Sequence, residues 1–544
     1  MTQLNIPIIS IIIFFPLVSA LALFFIKSRN GENDELLRKI ALAASLIEFV
    51  LSLYILVFFD SKTAAMQFVE HVSWVKDMGL GYFVGIDGIS LWLIILTTFF
   101  IPLCILCSWT YIEKRVKEFL ISMLLLETAM LGAFVALDLV VFYIFWEFML
   151  IPMFLLIGVW GGPRRIYSAV KFFIYTAAGS IFMLVAIIFL YYYSARTTGA
   201  GTFNLLELYK LHIPISTQFW LCAAFLLAFA IKVPIFPFHT WLPDAHVEAP
   251  TAGSVVLAAI LLKMGTYGFL RFAMPLFPYA SHQFLPVIAF LAIAGIIYAA
   301  LVAWVQPDMK KLVAYSSVSH LGYVMLGLFA LNIQGIEGGI YQMLNHGVNT
   351  GALFLLVGMI YERRHTRMMD DFGGLAKVMP VFATFLMIAT LASVAVPGTN
   401  GFVGEFLILV GAFKSYPVFG VFAVSGMVLG ATYMLWMYQK VMFGPVTVEA
   451  NKNLPDLNTR EIITLLPIAV LVFVMGIFPN FFLRKMDVSV THFITQYQHR
   501  YELYVAETDS PVRELLGRTG LSNAYEKKIN IERLNVEHRT SNVE

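Results

Sequence analysis

Apolar runs long enough to cross a lipid bilayer follow one another along almost the whole chain, and this repetition restricts the fold more than any single motif does. A hydrocarbon core of ~30 Å needs about 20 apolar residues in helical form. Roughly fourteen runs meet that requirement, near 6–27, 38–59, 83–108, 117–136, 138–160, 167–193, 218–240, 249–274, 284–305, 309–330, 336–361, 378–411, 417–443 and 460–483. With 60% hydrophobic and 13% charged residues among 544, the composition lies outside the soluble globular range. The expected fold class is therefore an all-α polytopic membrane protein of about 14 transmembrane helices. A net charge of +2 is too small to imply nucleic acid as a partner. The first run, Ile6 to Ile26, is too long for a signal-peptide core and lacks a small-residue cleavage site, so it is expected to be a retained span.

Charge placement predicts orientation. One set of loops holds Lys27, Arg29, Arg38, Lys39, Lys114, Arg115, Lys117, Arg164, Arg165, Lys310, Lys311, Arg363, Arg364 and Arg367. The opposite set holds mainly Lys62, Lys76, Arg196, Lys210 and Lys414. Basic loops stay in the cytoplasm or matrix, which places both termini on the other side. The segment 484–544 is polar and is expected to be a surface extension.

The stretch from Ala228 to Lys263 concentrates the functional signals. It begins as a membrane helix carrying Lys232, breaks at Pro234 and Pro237, and resumes as a helix carrying Lys263. A charge at bilayer depth faces a partner or a wetted cavity and suggests an ion pathway. A broken helix is tolerated there only where protein or water satisfies the freed backbone groups. A second break, VPGTNGFVGEF, lies in the twelfth run and is followed by Glu405. Aligning Val233 and Pro234 with Val396 and Pro397 lays runs four to eight over runs nine to thirteen. Five spans is an odd number, so the two copies must be inverted relative to each other, and paired broken helices in inverted halves point to a transport site. The expected organisation is a three-span segment (1–110), a first five-helix repeat (111–275), a second, inverted one (276–444), a loop and last span (445–483) and the extension (484–544).

The runs FYIFWEFMLIPMFLLIGVWGG, KFFIYTAAGS, AIKVPIFPFHTWLPDAHVEAPTAGSVVLAAILLKMGTYGFLRF, DMKKLVAYSSVSHLGYVMLG and PGTNGFVGEF carry a resemblance to a known family. They closely resemble the antiporter-like subunits of respiratory complex I, the proton-pumping NADH:quinone oxidoreductase. The pattern is most similar to the subunit M type, called chain 4 in mitochondria, because Glu405 stands where the two sister types have lysine. The resemblance spans runs three to thirteen and thins in runs one, two and fourteen; the tail shows none.

What the resemblance implies is a proton relay. Glu147 of the FWE motif resembles the family's glutamate that pairs with the lysine of the seventh span, here Lys232. Lys263 resembles the central lysine of the eighth span. His320 and His346 match histidines of the central polar axis, and His239 matches the histidine after the break. It further implies that NADH, FMN, iron–sulfur clusters and quinone are held by partner subunits, that the partners include the two sister antiporter-like subunits and the lipid bilayer, and that the location is a bacterial plasma membrane or, alternatively, a mitochondrial inner membrane.

The residues themselves support such chemistry. A Glu147–Lys232 pair can be closed as an ion pair or opened, and opening favours passing on the lysine proton. Lysine titrates readily when desolvated and histidine titrates near neutrality, so Lys263, His320 and Glu405 can serve as successive acceptors. Ser316, Ser319, His320 and Tyr323 recur at helical spacing as one polar stripe able to hold water. Each signal also has a plainer meaning. Glu147 and Lys232 can lock two helices together, His320 and His346 can link helices by hydrogen bonds, and His239 and His246 can satisfy backbone groups freed by the break. Glu127 in the fourth run is a further acidic candidate without an assigned partner.

Other signals are discounted. Cys104 and Cys107 form a C-x-x-C inside an apolar run without further ligands nearby, and Cys222 stands alone, so none is expected to bind metal. His239, His246 and Glu248 lack the HExxH arrangement, and no phosphate-cradling loop or dinucleotide fingerprint is present. The expected function is proton translocation driven by redox chemistry in other subunits, with no redox site in this chain. The alternatives are a cation/proton antiporter subunit of a multisubunit exchanger, a subunit of a membrane-bound hydrogenase, or a non-transporting scaffold.

Overall fold

The structure, a computed structural model, describes residues 7–27 and 31–508. Helices dominate it because the apolar runs can pair their backbone groups only internally. The first are α1 Ile8–Phe25 and α2 Asp34–Phe58, followed by a hairpin of antiparallel strands β1 Gln67–Val75 and β2 Leu80–Ile86. Then come α3 Gly88–Cys107, α4 Val116–Val135, α5 Leu139–Phe148, α6 Leu150–Trp160, α7 Arg165–Thr198, α8 Leu205–Leu208, α9 Ile215–Lys232 and α10 Trp241–Glu248. The next segment is α11 Thr251–Val256, α12 Leu262–Gly268 and α13 Met274–Leu276, joined by π-helical turns Leu257–Leu261 and Phe269–Ala273. The remainder is α14 Pro278–Trp304, α15 Met309–Leu328, α16 Ile333–Arg364, α17 Leu375–Val378, α18 Pro380–Ser393, α19 Asn400–Ser415, α20 Pro417–Met442, α21 Thr459–Ile477 and α22 Pro479–Thr508.

Twelve helical segments among the described residues are long and apolar enough to cross a membrane. Two of the expected crossings fall short of that measure. Helix α15 carries Lys310, Lys311, His320 and several hydroxyls, while α18 and α19 divide one run into pieces of 14 and 16 residues. The third expected run began at 83, yet Phe83–Ile86 belongs to β2. Asp87 makes the division, because its carboxylate accepts from the amides of Ile89 and Ser90 and caps α3. The hairpin is not legible in the sequence because its apolar second strand reads continuously into the helix. The polar stretch from 484 likewise begins inside α22, whose Phe482, Met486, Val490, Ile494, Tyr497 and Tyr504 are buried; residues 509–544 of that extension lie outside the described residues.

Both halves repeat one construction. Asp138 caps α5 and pairs with Asn204, just as Asp308 caps α15 and pairs with Met368. Each half then runs through an unusually long helix, α7 of 34 residues and α16 of 32, that packs on a broken one, α9–α10 or α18–α19. The carbonyls freed at the breaks are satisfied by side chains: Trp241 Nε1 donates to Ile231 O at 2.9 Å, and Asn349 Nδ2 donates to Ala392 O at 3.1 Å.

The connecting loops interlock at two ends. At one, Lys117 donates to Ile26 O, Arg38 to Ile112 O, Trp160 to Lys114 O, Lys310 to Ala249 O and Arg367 to Val247 O, while Arg363 is ion-paired with Glu461. This end gathers the basic loops. At the other, α22 straps across the bundle: Gly88 N donates to Ser489 Oγ, Trp92 Nε1 to Phe482 O, Ile213 N to Tyr504 Oη, and Arg500 to the Pro275 and Leu211 carbonyls.

Candidate functional site

The polar side chains of the two halves meet in the buried interior. Lys232 is the last residue of α9, where an ammonium suits the negative end of the helix dipole. It is 1% exposed and lies 5.4 Å from the Trp146 ring and 5.5 Å from that of Phe172, with Nζ 3.0 Å from Met149 Sδ. Glu147, near the end of α5, is half-buried, with Tyr143 and Ser180 as neighbours. Its charge acts on Lys232, yet the two form no direct ion pair. The break between α5 and α6 at Met149 brings that sulfur to Lys232, a contact that one continuous helix in the sequence pattern does not suggest.

Lys263 sits on α12 between the two π-helical turns, fully buried. A π turn leaves carbonyls without the usual partner, and Lys263 Nζ donates to one of them, Ala258 O. The same ammonium lies 2.6 Å from His346 Nδ1 on α16. Helix α12 also passes hard against the end of α9. A Cβ on Gly265 would sit 2.7 Å from Val233 Cγ2 and 3.0 Å from Phe229 O, so a residue with a side chain there would push the two lysine-bearing helices apart.

From His346 the row continues across the second half. The rings of His346 and His320 have centroids 6.1 Å apart. His320 Nδ1 lies 2.9 Å from Glu405 Oε1, and Gln342 Nε2 donates to the same oxygen at 2.9 Å. Asn345 Nδ2 in turn donates to Gln342 Oε1 at 2.9 Å. Lys263, His346, His320 and Glu405 thus form one contiguous series contributed by α12, α16, α15 and α19. Neither His320 Nε2 nor His346 Nε2 has a protein partner, so each ring keeps a free nitrogen for a further hydrogen bond.

The other predicted residues fall differently. His239 lies in the break after α9, buried against the rings of Phe236 and Tyr298, and touches no member of the series. The hydroxyls of the α15 stripe are taken up by neighbouring helices: Ser319 donates to Ile296 O, Tyr323 to Ala423 O, and Tyr433 donates to Ser316 Oγ. Among its four residues only His320 joins the series. Cys104, Cys107 and Cys222 are buried free thiols, and Cys107 Sγ donates to Cys104 O.

Three contributors had not been ranked with the relay. Gln342 and Asn345 orient Glu405; with His346 and Asn349 they recur on α16 at helical spacing, a polar stripe the sequence does display. His246 is fully buried on α10, stacked on Phe354 at 4.5 Å, with both ring nitrogens lacking a protein partner. Just beyond it along the chain, Val247 O and Ala249 O accept from Lys310 of the basic end.

Comparison with known proteins identifies the framework. Residues 136–430 match the family described as NADH:quinone oxidoreductase/Mrp antiporter, TM, and residues 11–133 match NADH-ubiquinone oxidoreductase chain 4, amino terminus. NADH-quinone oxidoreductase subunit M of Rickettsia prowazekii is 46% identical over 91% of this chain and 100% of its own. The chain belongs to the NADH-quinone oxidoreductase subunit M family. The subunit M of Rhodobacter capsulatus is 47% identical over 90% of this chain and 97% of its own, and chain 4 of Marchantia polymorpha is 45% identical over 89% and 96%. Among solved structures, respiratory complex I from Thermus thermophilus with bound NADH superposes with a TM-score of 0.82 at 33% identity, covering 90% of this chain and 99% of that one. The Mrp complex from Dietzia sp. DQ12-45-1b shares the fold, with a TM-score of 0.78 at 20% identity over 90% of this chain and 98% of that one. This chain thus combines an antiporter-like fold with the buried series described above.

Proposed function

We propose that this chain is a proton-translocating membrane subunit of a NADH:quinone oxidoreductase and that the buried series is its proton relay. The observation that carries the reading is the unbroken succession Lys263, His346, His320 and Glu405, drawn from both repeats and enclosed from lipid. Groups that change protonation need neighbours to receive what they release, and here each residue faces the next. Lys232 supplies the input. The Lys232 ammonium lies against two rings and a thioether with no direct ion pair to Glu147, so a change in its distance from that carboxylate changes its hold on its proton. Closure onto Glu147 favours retention. His246, buried with both ring nitrogens unpartnered, extends the relay from Lys263 toward the basic end, whereas His239 stands apart from it at the break.

The membrane frame has fourteen crossings, counting α15 and the α18–α19 pair, with the basic end in the cytoplasm. Bacterial relatives favour a plasma membrane, and chain 4 of Marchantia is their mitochondrial counterpart. NADH, FMN, iron–sulfur clusters and quinone belong to partner subunits, among them those that bias the Glu147–Lys232 pair. Substituting Glu147→Gln or Lys263→Ala in the assembled enzyme should lower proton pumping by about 1.4 kcal/mol of barrier or more, tenfold in rate, while chains containing flavin and iron–sulfur clusters still co-purify. Undiminished pumping in both variants at normal assembly would refute the relay. Co-purification with small membrane subunits and sodium-dependent exchange would instead support the multisubunit exchanger.

A further inference from the structure

Outside this relay, two carboxyl groups lie buried without any counter-charge. Glu48 on α2 and Glu127 on α4 are both 0% exposed, and none of their four carboxylate oxygens has a hydrogen-bond partner. Helices α2 and α4 pack together, and the charges of the two residues act on each other. On α2, Glu48 lies on one buried polar face with Ser45 and Ser52; those two hydroxyls are committed to Leu42 O and to Phe49 O and Thr98. The other titratable side chain that senses Glu127 is the buried thiol of Cys104 on α3, whose sulfur points to Ala252 O of α11. Among the described residues, no lysine, arginine or histidine donates to either carboxylate.

Ionising both groups would leave two like charges unpaired and unsolvated in a space lined by apolar helices, which is far more costly than holding a proton. Uncharged, a carboxyl gains an O–H donor that a second carboxyl can accept. We propose that Glu48 and Glu127 form a second proton-binding site, a carboxyl pair between α2 and α4 that retains at least one proton at neutral pH. The site lies apart from the relay, with Cys104 of α3 between Glu127 and α11. Its ligand is the proton itself: uptake converts one carboxylate and one H+ to a carboxylic acid, with no other reactant.

Infrared spectroscopy of the purified, assembled enzyme tests this, because a protonated carboxylic acid has a carbonyl stretch that shifts on exchange into D2O and that a carboxylate lacks. The expected result is such a band at neutral pH that is lost or displaced in each of the isosteric variants Glu48→Gln and Glu127→Gln. A spectrum unchanged in both variants would overturn the proposal. Should either variant fail to assemble, treating the unmodified enzyme with dicyclohexylcarbodiimide, which adds to protonated buried carboxyls, and locating adducts by mass spectrometry replaces it. Adducts at Glu48 or Glu127 support the site, and adducts at Glu147 with none at either overturn it.

Discussion

At the residue scale, the proposed relay depends on side chains held in one orientation by neighbours that do not themselves titrate. Glu405 is directed toward His320 by Gln342, and Gln342 by Asn345. The space that holds these amides exists because position 404 is glycine: a Cβ there would sit 2.5 Å from Asn345 Nδ2 and 2.6 Å from Gln342 Oε1. Gly404→Ala should therefore dislodge the amides and remove the Gln342–Glu405 hydrogen bond. A hydrogen bond to a charged group is worth about 1.5–3 kcal/mol, so coupled NADH oxidation should fall roughly tenfold. Gln342→Ala should cost about as much, and the double variant little more, which steady-state rates of all three would check. The titratable members were legible from the sequence, since a lysine or glutamate inside an apolar run is conspicuous by its cost. Gln342 and Asn345 were less so, because uncharged amides on a helix are also ordinary interhelical links.

At the scale of single elements, the breaks were visible and the bends were not. Pro234, Pro237 and Pro397 interrupt the amide ladder and advertise themselves, whereas the π-helical turns on either side of Lys263 arise where AAIL and FLRF pack, without Pro or any other local marker. The second of these turns carries Arg271, which is paired with Asp87 at 2.5 Å and 6% exposed. Asp87 thus does two jobs, capping α3 and neutralising Arg271, so Asp87→Ala leaves a buried cation and an uncapped helix. Removing one member of a buried pair costs about 3–5 kcal/mol, and loss of a cap about 1 kcal/mol more. The variant should show reduced assembly into the membrane arm and a lower unfolding temperature for what does assemble, measured on the purified enzyme. Asp87→Glu, which keeps the charge, should recover part of both.

At the scale of the whole molecule, the two repeats are joined through the row in their interior and clasped from outside by α22. That helix contacts α3, α13, α14 and α16, and its last turns hold the loops that precede α9 and α14 through Arg500, Tyr504 and Tyr497. Substituting Tyr497→Phe together with Arg500→Ala removes bonds worth about 1 kcal/mol each. Amide hydrogen exchange across 479–508 should then quicken by roughly tenfold or more, while the exchange of α15 and α16 stays as it was. Equal loosening of α15 and α16 would mean that the clasp also sets the spacing of the relay.

The number of apolar runs, the two breaks, and the intramembrane charges could be read from the chain alone. Bilayer thickness, proline geometry and the expense of an unpaired charge are local constraints, and each leaves its mark on the residues that obey it. Which polar group meets which was decided only in three dimensions. That Lys263 reaches His346, that His320 takes Glu405, that Lys232 rests on Met149, and that Glu48 and Glu127 are buried on two helices packed together all depend on how each helix is rotated and on which helix it adjoins. Those are settled by packing among residues distant in sequence, which no stretch of one helix records.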